Sequence, residues 1–301
     1  MVTTFGDVVK SDLTTSQIKI QCVPNRDSLC PKLNFALSQN EERGDRMPRS
    51  ARERSSTNIY HLMGRGINRE KIFEQTREKN NFKRLLNKHL EKYGIEIFSY
   101  VIMSTHFHLL ARADLKLLSG YLAIVLAEYA EYYNFKHDRN GHVFQNRFKS
   151  ECVESEQYFW NCLRYIHMNP VNANLVKSPL DYKYSSIKEY QIEKNKIIHP
   201  AAIKMYKQNF TDFEEYLEFH NKNQKYIFLD TPDDVEKQLY KVAMAILYQE
   251  AHLRGFEKPV EMIENLTLRR MYKEKLQKEL KISKARTDRL YRRVKSCIIG
   301  K

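Results

Sequence analysis

A chain of 301 residues is long enough for one large domain or two small ones, and 42% hydrophobic residues is the share expected of a soluble globular protein. The formal net charge of +14, with a pI near 9.4, points to a polyanionic partner, because lysines and arginines set on phosphates release condensed counterions. No apolar run is long enough to cross a bilayer, and the five cysteines (Cys22, Cys30, Cys152, Cys162 and Cys297) lack a CxxC pair, which argues against a membrane span, a zinc knuckle and a disulfide framework.

Residues 1–46 carry six basic and six acidic residues, are rich in Ser, Thr and Asn, and show no sustained period, so little of this stretch is expected to pack. It is expected to be disordered or an extension upstream of the native start, with Met47 as initiator; an accessory arm that docks on the protein is the other reading. From Asn58 the patterning predicts, in order, a strand over 58–64, a helix over 70–93, strands over 95–103 and 106–113, a helix over 115–135, a strand over 143–153 and a helix over 157–168. Gly94 is a natural stop for the first helix and Asp114 a natural cap for the second. The short gap at Ser104-Thr105 predicts a tight antiparallel connection. Together these give an α+β fold: a four-stranded antiparallel sheet with helices on one face.

In the strand that starts at His106, successive side chains alternate, so His106 and His108 project from one face about 7 Å apart. Two imidazoles so placed can share one metal ion, or can be ordinary polar residues at a strand edge. Further on, Arg164-Tyr165-Ile166-His167-Met168-Asn169-Pro170 follows a helical run in which Tyr165 and Asn169, four apart, share a face. Pro170 predicts that this helix ends at Asn169. Nineteen tyrosines make any single one more often a packing residue than a nucleophile, and Tyr158 in the same helix is the rival of Tyr165 on spacing.

These blocks, taken in order with IYHLMGRGINREKIF (59–73), GHVFQNRFKS (141–150), YIHMNPVNANLV (165–176) and YKYSSIKEY (182–190), resemble the single-tyrosine HUH transposases, and among them the REP-associated tyrosine transposase type. The resemblance spans residues 47–190 and implies a ferredoxin-like or RRM-like core. It implies that Tyr165 is the nucleophile, that His106 and His108 are metal ligands, and that Asn169 stands where the family places its third ligand. Two histidines and an amide make a weakly charged set suited to Mg²⁺ or Mn²⁺ completed by water and phosphate oxygens. The chemistry implied is metal-dependent cleavage of single-stranded or hairpin DNA through a 5′-phosphotyrosine, reversible by a second 3′-hydroxyl. Cytoplasmic residence follows, at the nucleoid when bound to DNA.

Other residues read as DNA contacts: His61, Arg65, Asn68 and Arg69 where strand passes into helix, and Gln145, Arg147 and Lys149, which alternation places on one strand face. A solvated basic face is the alternative for each. His167 reads as structural, and Phe159 and Trp160 as core. Residues 191–230 read as a linker with one or two short helices. Thr231-Pro232-Asp233-Asp234 then predicts a capped helix reaching Leu253. Residues 257–301 hold 14 basic and 6 acidic residues in two helical runs joined at Lys281-Ile282, so 231–301 reads as an all-α, helix-turn-helix-like module. Residues 283–294 are its recognition helix, with Arg286, Arg289 and Arg292. Two rival functions remain open: a domesticated DNA-binding protein that has lost turnover, and an RNA-binding module sharing the sheet topology. Monomer and homodimer stay equally open.

Overall fold

The computed structural model describes residues 51–192, 197–222 and 226–299; the expectations for residues 1–46 and for Met47 lie outside the described residues. The chain divides into two compact units, after Lys222.

The first unit is an α+β fold around a four-stranded antiparallel sheet in the order β2-β3-β1-β4, made of β1 (Ile59–Arg65), β2 (Glu96–Ile102), β3 (His106–Arg112) and β4 (Lys149–Cys152). Ser104 and Thr105 close the β2–β3 hairpin, Met103 N donating to His106 O over 2.8 Å. Strand alternation sorts the sheet into two faces. One carries Tyr60, Leu62, Phe107 and Leu109 toward α1 (Thr76–Lys88), continued by the turn Leu90–Tyr93, and α2 (Leu115–Lys136). Phe107 lies 4.9 Å from Phe82 of α1, which lies 5.2 Å from Tyr129 of α2. The other carries His61, His106 and His108 toward α3 (Glu156–Asn172). Helices therefore cover both faces, not one as the patterning predicted: the buried run in β3 is apolar or aromatic on both sides and needs cover on both.

Several element limits differ from the sequence expectation for local reasons. The first helix begins at Thr76, because Gln75 and Glu78 form a capping box, Gln75 N donating to Glu78 Oε2 over 2.7 Å. Residues 67–69 form a short 3-10 turn instead, with φ of 48° at Asn68 and 63° at Arg69. Gly94 sits at φ 58° and ends the following turn, and Asp114 caps α2 by accepting from Lys116 N over 2.8 Å, both as expected. β4 covers only Lys149–Cys152; the segment before it is irregular, touching the sheet through a single bridge between Gly66 and Phe144. Helix α3 does not stop before Pro170 but runs through it to Asn172. Proline disfavours helical geometry in the residue before it without forbidding it, and here burial of both Asn169 and Pro170 holds the helix in place.

The stretch read as a linker packs instead. After α4 (Ile187–Ile192) come α5 (Pro200–Asn209), which lies on β2, and α6 (Phe213–Asn221), which lies on α3. An aromatic cluster of Tyr190, Tyr206, Phe210 and Tyr216 fills the space among them, and Trp160 and Phe159 join the core as expected.

The second unit is all-helical: α7 (Pro232–Leu253), α8 (Val260–Glu264), α9 (Leu266–Leu280) and α10 (Lys284–Ile299). Thr231 caps α7 with Pro232 at its first position. Leu239, Val242, Ile246, Met262, Leu276, Leu290 and Val294 make its core. Lys281, at φ 49°, starts the turn between α9 and α10.

One close approach fixes the sheet. A Cβ on Gly64 would come within 2.5 Å of Phe107 Cε1, and that ring is hemmed in by Phe73 and Phe82. Gly64→Ala is expected to lower the urea midpoint by the equivalent of about 1–3 kcal/mol, the cost of overpacking a filled core.

Candidate functional site

The site lies where β3 starts. His106 and His108 are both buried, with ring centroids 5.0 Å apart and planes at 88°. Because β3 lies between β1 and β2, each histidine has a partner across the ladder: Arg65 opposite His106, Met63 and Val101 on either side of His108. The outer nitrogens of the pair are set by neighbours. Thr105 Oγ1 is 2.9 Å from His106 Nδ1, and His61 Nε2 is 3.0 Å from His108 Nδ1.

Helix α3 delivers the tyrosine. Ser155 caps it by accepting from Tyr158 N, and its apolar face buries Phe159, Cys162, Leu163 and Ile166. Nearly three turns from the cap, Tyr165, only 4% exposed, sets its ring edge-on to His108 and His61, with centroids 5.7 and 6.0 Å away. Asn169 follows one turn later, also buried, so the phenol and the amide share a helix face as the spacing predicted.

His61 corrects the sequence reading. It is wholly buried in β1, with its ring stacked 5.1 Å from that of His108, so it faces the histidine pair and cannot reach DNA as a surface contact. Across the ladder, Glu151 of β4 is its register partner, with Oε2 3.5 Å from His61 Nδ1. The sequence signal was only His61 inside an apolar strand, which reads equally well as a core histidine.

The other expected DNA contacts gather at the end of the sheet nearest His106. Gly66 N donates to Thr105 O, Ile67 N to Val143 O, and Gln145 N to Arg65 O, which stitches three loops together around it. Arg65 is half-buried there, Gln145 also, and Asn68, Arg69, Arg147 and Lys149 are exposed. Gln145 and Arg147 do not share a strand face with Lys149, because the strand begins only at Lys149. The sequence reading missed Arg52, which stacks 3.8 Å over the Phe148 ring and donates to Phe148 O. Burial, and then the nearby charge of Arg147, lower its pKa, marking a place where positive charge accumulates.

In the second unit Arg289 and Arg292 are exposed on α10, whereas Arg286 turns back to Glu236, 2.6 Å away. Arg286 is thus tied into the fold rather than offered to DNA.

Which group could hold a metal follows from donor chemistry. Each imidazole has its Nδ1 engaged by a neighbour, so the face each can offer to an ion is Nε2, and the Asn169 amide adds a neutral oxygen donor. The residues fit a divalent ion.

Residues 54–169 match the model of the IS200-like transposases. The matched stretch holds the whole sheet, His106, His108, Tyr165 and Asn169, and ends at that last residue. Among solved structures the chain is similar to a REP-associated tyrosine transposase bound to a REP hairpin, at 16% identity and a TM-score of 0.41, over 52% of this chain and 90% of that one. No curated protein matches the chain. Among the described residues no helix is long and apolar enough to cross a membrane.

The back of α3 is anchored by a second, separate histidine pair. His167 Nδ1 lies 3.0 Å from His220 Nε2, His167 Nε2 lies 2.8 Å from Ser186 Oγ, and His220 Nδ1 donates to Tyr216 O over 2.6 Å. Burial holds His167 well below the ordinary imidazole pKa, with His220 beside it acting the same way. Burial also takes His220 down to about 4, against the raising effect of its bond to Tyr216 and with Arg164 adding to the fall. Both are neutral in the fold, which agrees with the structural role expected for His167. Since the unfolded chain takes up protons near pH 6.5 and the folded one does not, this part of the stability is complete above about 6.5 and is lost as pH falls toward about 4. Unfolding midpoints between pH 7 and 5 are expected to fall by the equivalent of roughly 2 kcal/mol from His220, with a shallower slope in His220→Gln.

Proposed function

We propose that the protein nicks and rejoins single-stranded DNA, with Tyr165 as nucleophile and His106, His108 and Asn169 holding a divalent ion of the Mg²⁺ or Mn²⁺ kind. The observation that carries this reading is the seating of the Tyr165 ring against His108, inside the segment that matches the IS200-like transposases. A phosphodiester is anionic and resists attack, so cleavage needs charge neutralised at phosphate and a nucleophile held in line. A bound divalent ion supplies that charge as a Lewis acid. Tyr165 Oη forms a bond to phosphorus as the bond from phosphorus to the 3′ oxygen breaks. The phenol gives up its proton and the leaving oxygen gains one, so the products are a 5′-phosphotyrosine and a 3′-hydroxyl. Because the covalent link conserves the bond, the 3′-hydroxyl of a second strand can attack it and restore the phenol.

Arg65, facing His106 across the ladder, is suited to grip the phosphate bidentately. Asn68, Arg69, Gln145, Arg147 and Lys149 serve the strand on either side of it, and Arg52 joins them. The resemblance of the blocks at 59–73, 141–150, 165–176 and 182–190 to the REP-associated type supports hairpin or repeat DNA as the substrate class. The exposed Arg289 and Arg292 of α10 form a second DNA contact in the helical unit.

Mixing the protein with end-labelled hairpin DNA and Mn²⁺ is expected to give a protein-linked band on a denaturing gel, lost with EDTA. Tyr165→Phe is expected to abolish it, because phenylalanine offers no oxygen to bond phosphorus. DNA that is bound without any adduct would instead indicate a binder without turnover. For the helical unit, replacing both Arg289 and Arg292 by Ala should weaken DNA binding and reduce the slope of log affinity against log salt by about 2 units, two phosphate contacts' worth. An unchanged slope would remove that contact from the proposal.

A further inference from the structure

We propose that Glu151 and His61 are positioning residues that fix which nitrogen of His108 faces the metal. This inference rests on the metal site proposed above. It starts from the three-residue line Glu151, His61, His108, laid across β4, β1 and β3.

Glu151 Oε2 lies 3.5 Å from His61 Nδ1, a charge contact rather than a hydrogen bond, and a negative oxygen at that distance favours the tautomer of His61 with its proton on Nδ1. Its lone pair then sits at Nε2. That nitrogen is 3.0 Å from His108 Nδ1, and a lone pair there requires His108 Nδ1 to be the donor. The lone pair of His108 is thereby assigned to Nε2. Of the two neutral arrangements of the His61–His108 bond, this one turns an N–H rather than a lone pair toward the Glu151 carboxylate. His106 differs: its Nδ1 meets the Thr105 hydroxyl at 2.9 Å, and a hydroxyl can donate or accept, so that contact orients the ring without choosing a tautomer.

The backbone explains why the line holds. His61 and Glu151 are directly opposite in the β1–β4 register, and His61 and His108 are stacked at 28° between planes, both fully buried. Glu151 keeps 25% of its side chain exposed, so the carboxylate retains contact with solvent while Oε2 faces the buried ring. This is the arrangement by which an outer carboxylate sets the tautomer and basicity of a metal-ligating histidine, here passed through a second histidine.

Two measurements on the full chain test this without reading activity. Long-range ¹H–¹⁵N spectra of the metal-free protein are expected to show His108 protonated at Nδ1. In Glu151→Gln and in His61→Phe, which keeps a ring in the place of the imidazole, that preference should fade. Binding of Mn²⁺ alone, followed by the loss of the free-ion electron paramagnetic resonance signal, should weaken by about 10-fold in Glu151→Gln and by up to about 100-fold in His61→Phe. Glu151→Asp should recover part of the loss, which a merely structural effect of the substitution would not produce. Thr105→Val should leave the His108 tautomer unchanged.

A wild-type His108 protonated at Nε2 would overturn the proposal, as would a Glu151→Gln variant that binds Mn²⁺ like the wild type. No Mn²⁺ binding by the wild-type protein would overturn it together with the metal site. Tautomer and affinity shifts as expected, in a protein that forms no adduct with DNA, would leave this inference standing and remove the nicking reaction alone.

Discussion

The site depends on the register of β1 between β3 and β4. Pairing His61 with Leu110 on one side and Glu151 on the other sets the stacked histidines and the carboxylate in line, and the same ladder puts Arg65 across from His106. A slip by one residue would turn every one of these side chains to the opposite face, into the aromatic layer of Phe73, Phe82 and Tyr129. The fit of Gly64 against Phe107 works against such a slip, because a residue with any side chain displaced into that place would meet the ring at its edge. Packing on one face of the sheet thus fixes polar geometry on the other.

A tyrosine brought to a strand-borne histidine pair must come from another element, and a helix laid on a sheet can shift along its axis. What resists that shift here is polar as well as apolar. His167 sits two residues after Tyr165, points away from the site, and is bonded to His220 and Ser186 in a dry environment. Buried hydrogen bonds of this kind are directional, so they specify where the helix stops more sharply than the surrounding tyrosine rings do. The helices read from sequence as a linker supply this anchor: His220 belongs to α6, and α6 lies on α3.

Much of this was legible in the sequence, and what was not has physical causes. The strands of β1, β2 and β3, the Asp114 and Thr231 caps and the stop at Gly94 were legible because each rests on a local rule that the tertiary structure did not override. The pairing of Tyr165 with Asn169 followed from helical spacing, but its meeting with His108 came from the family resemblance, since a contact 57 residues apart in the chain has no local signature. Pro170 misled because its bias on Asn169 is a preference of about the size that burial outweighs. The strand expected over 143–153 is cut short in its first half because only one antiparallel bridge forms there, through Ile67 N to Val143 O and Gln145 N to Arg65 O, and pairing with β1 resumes only at Lys149. His61 and Glu151 were hidden for a different reason: strand pairing is chosen in three dimensions, and neither residue carries any mark in sequence of the partner it meets.

The distribution of positive charge separates the two uses that arginine has in this chain. Arg286 is 2.6 Å from Glu236, Arg112 lies against Glu96, and Arg293 sits 4.6 Å over the Tyr240 ring, so each is committed to its own fold. Each such contact removes an arginine from the set able to meet a polyanion. Arg147, Arg69, Arg289 and Arg292 are exposed, and in the first unit they lie toward the sheet end where β3 begins, where burial first and the charge of Arg147 second lower the pKa of Arg52. Like charges held together cost folding free energy, and a fold keeps such a cluster where an anion offsets the repulsion. The net charge of +14 therefore understates the local field at that edge, because so much of the remaining charge is neutralised within the fold. On the function proposed above, a strand of DNA laid there would gain at its phosphates and bring one of them to the histidine face, so binding charge and reacting group would act at the same end of a single sheet.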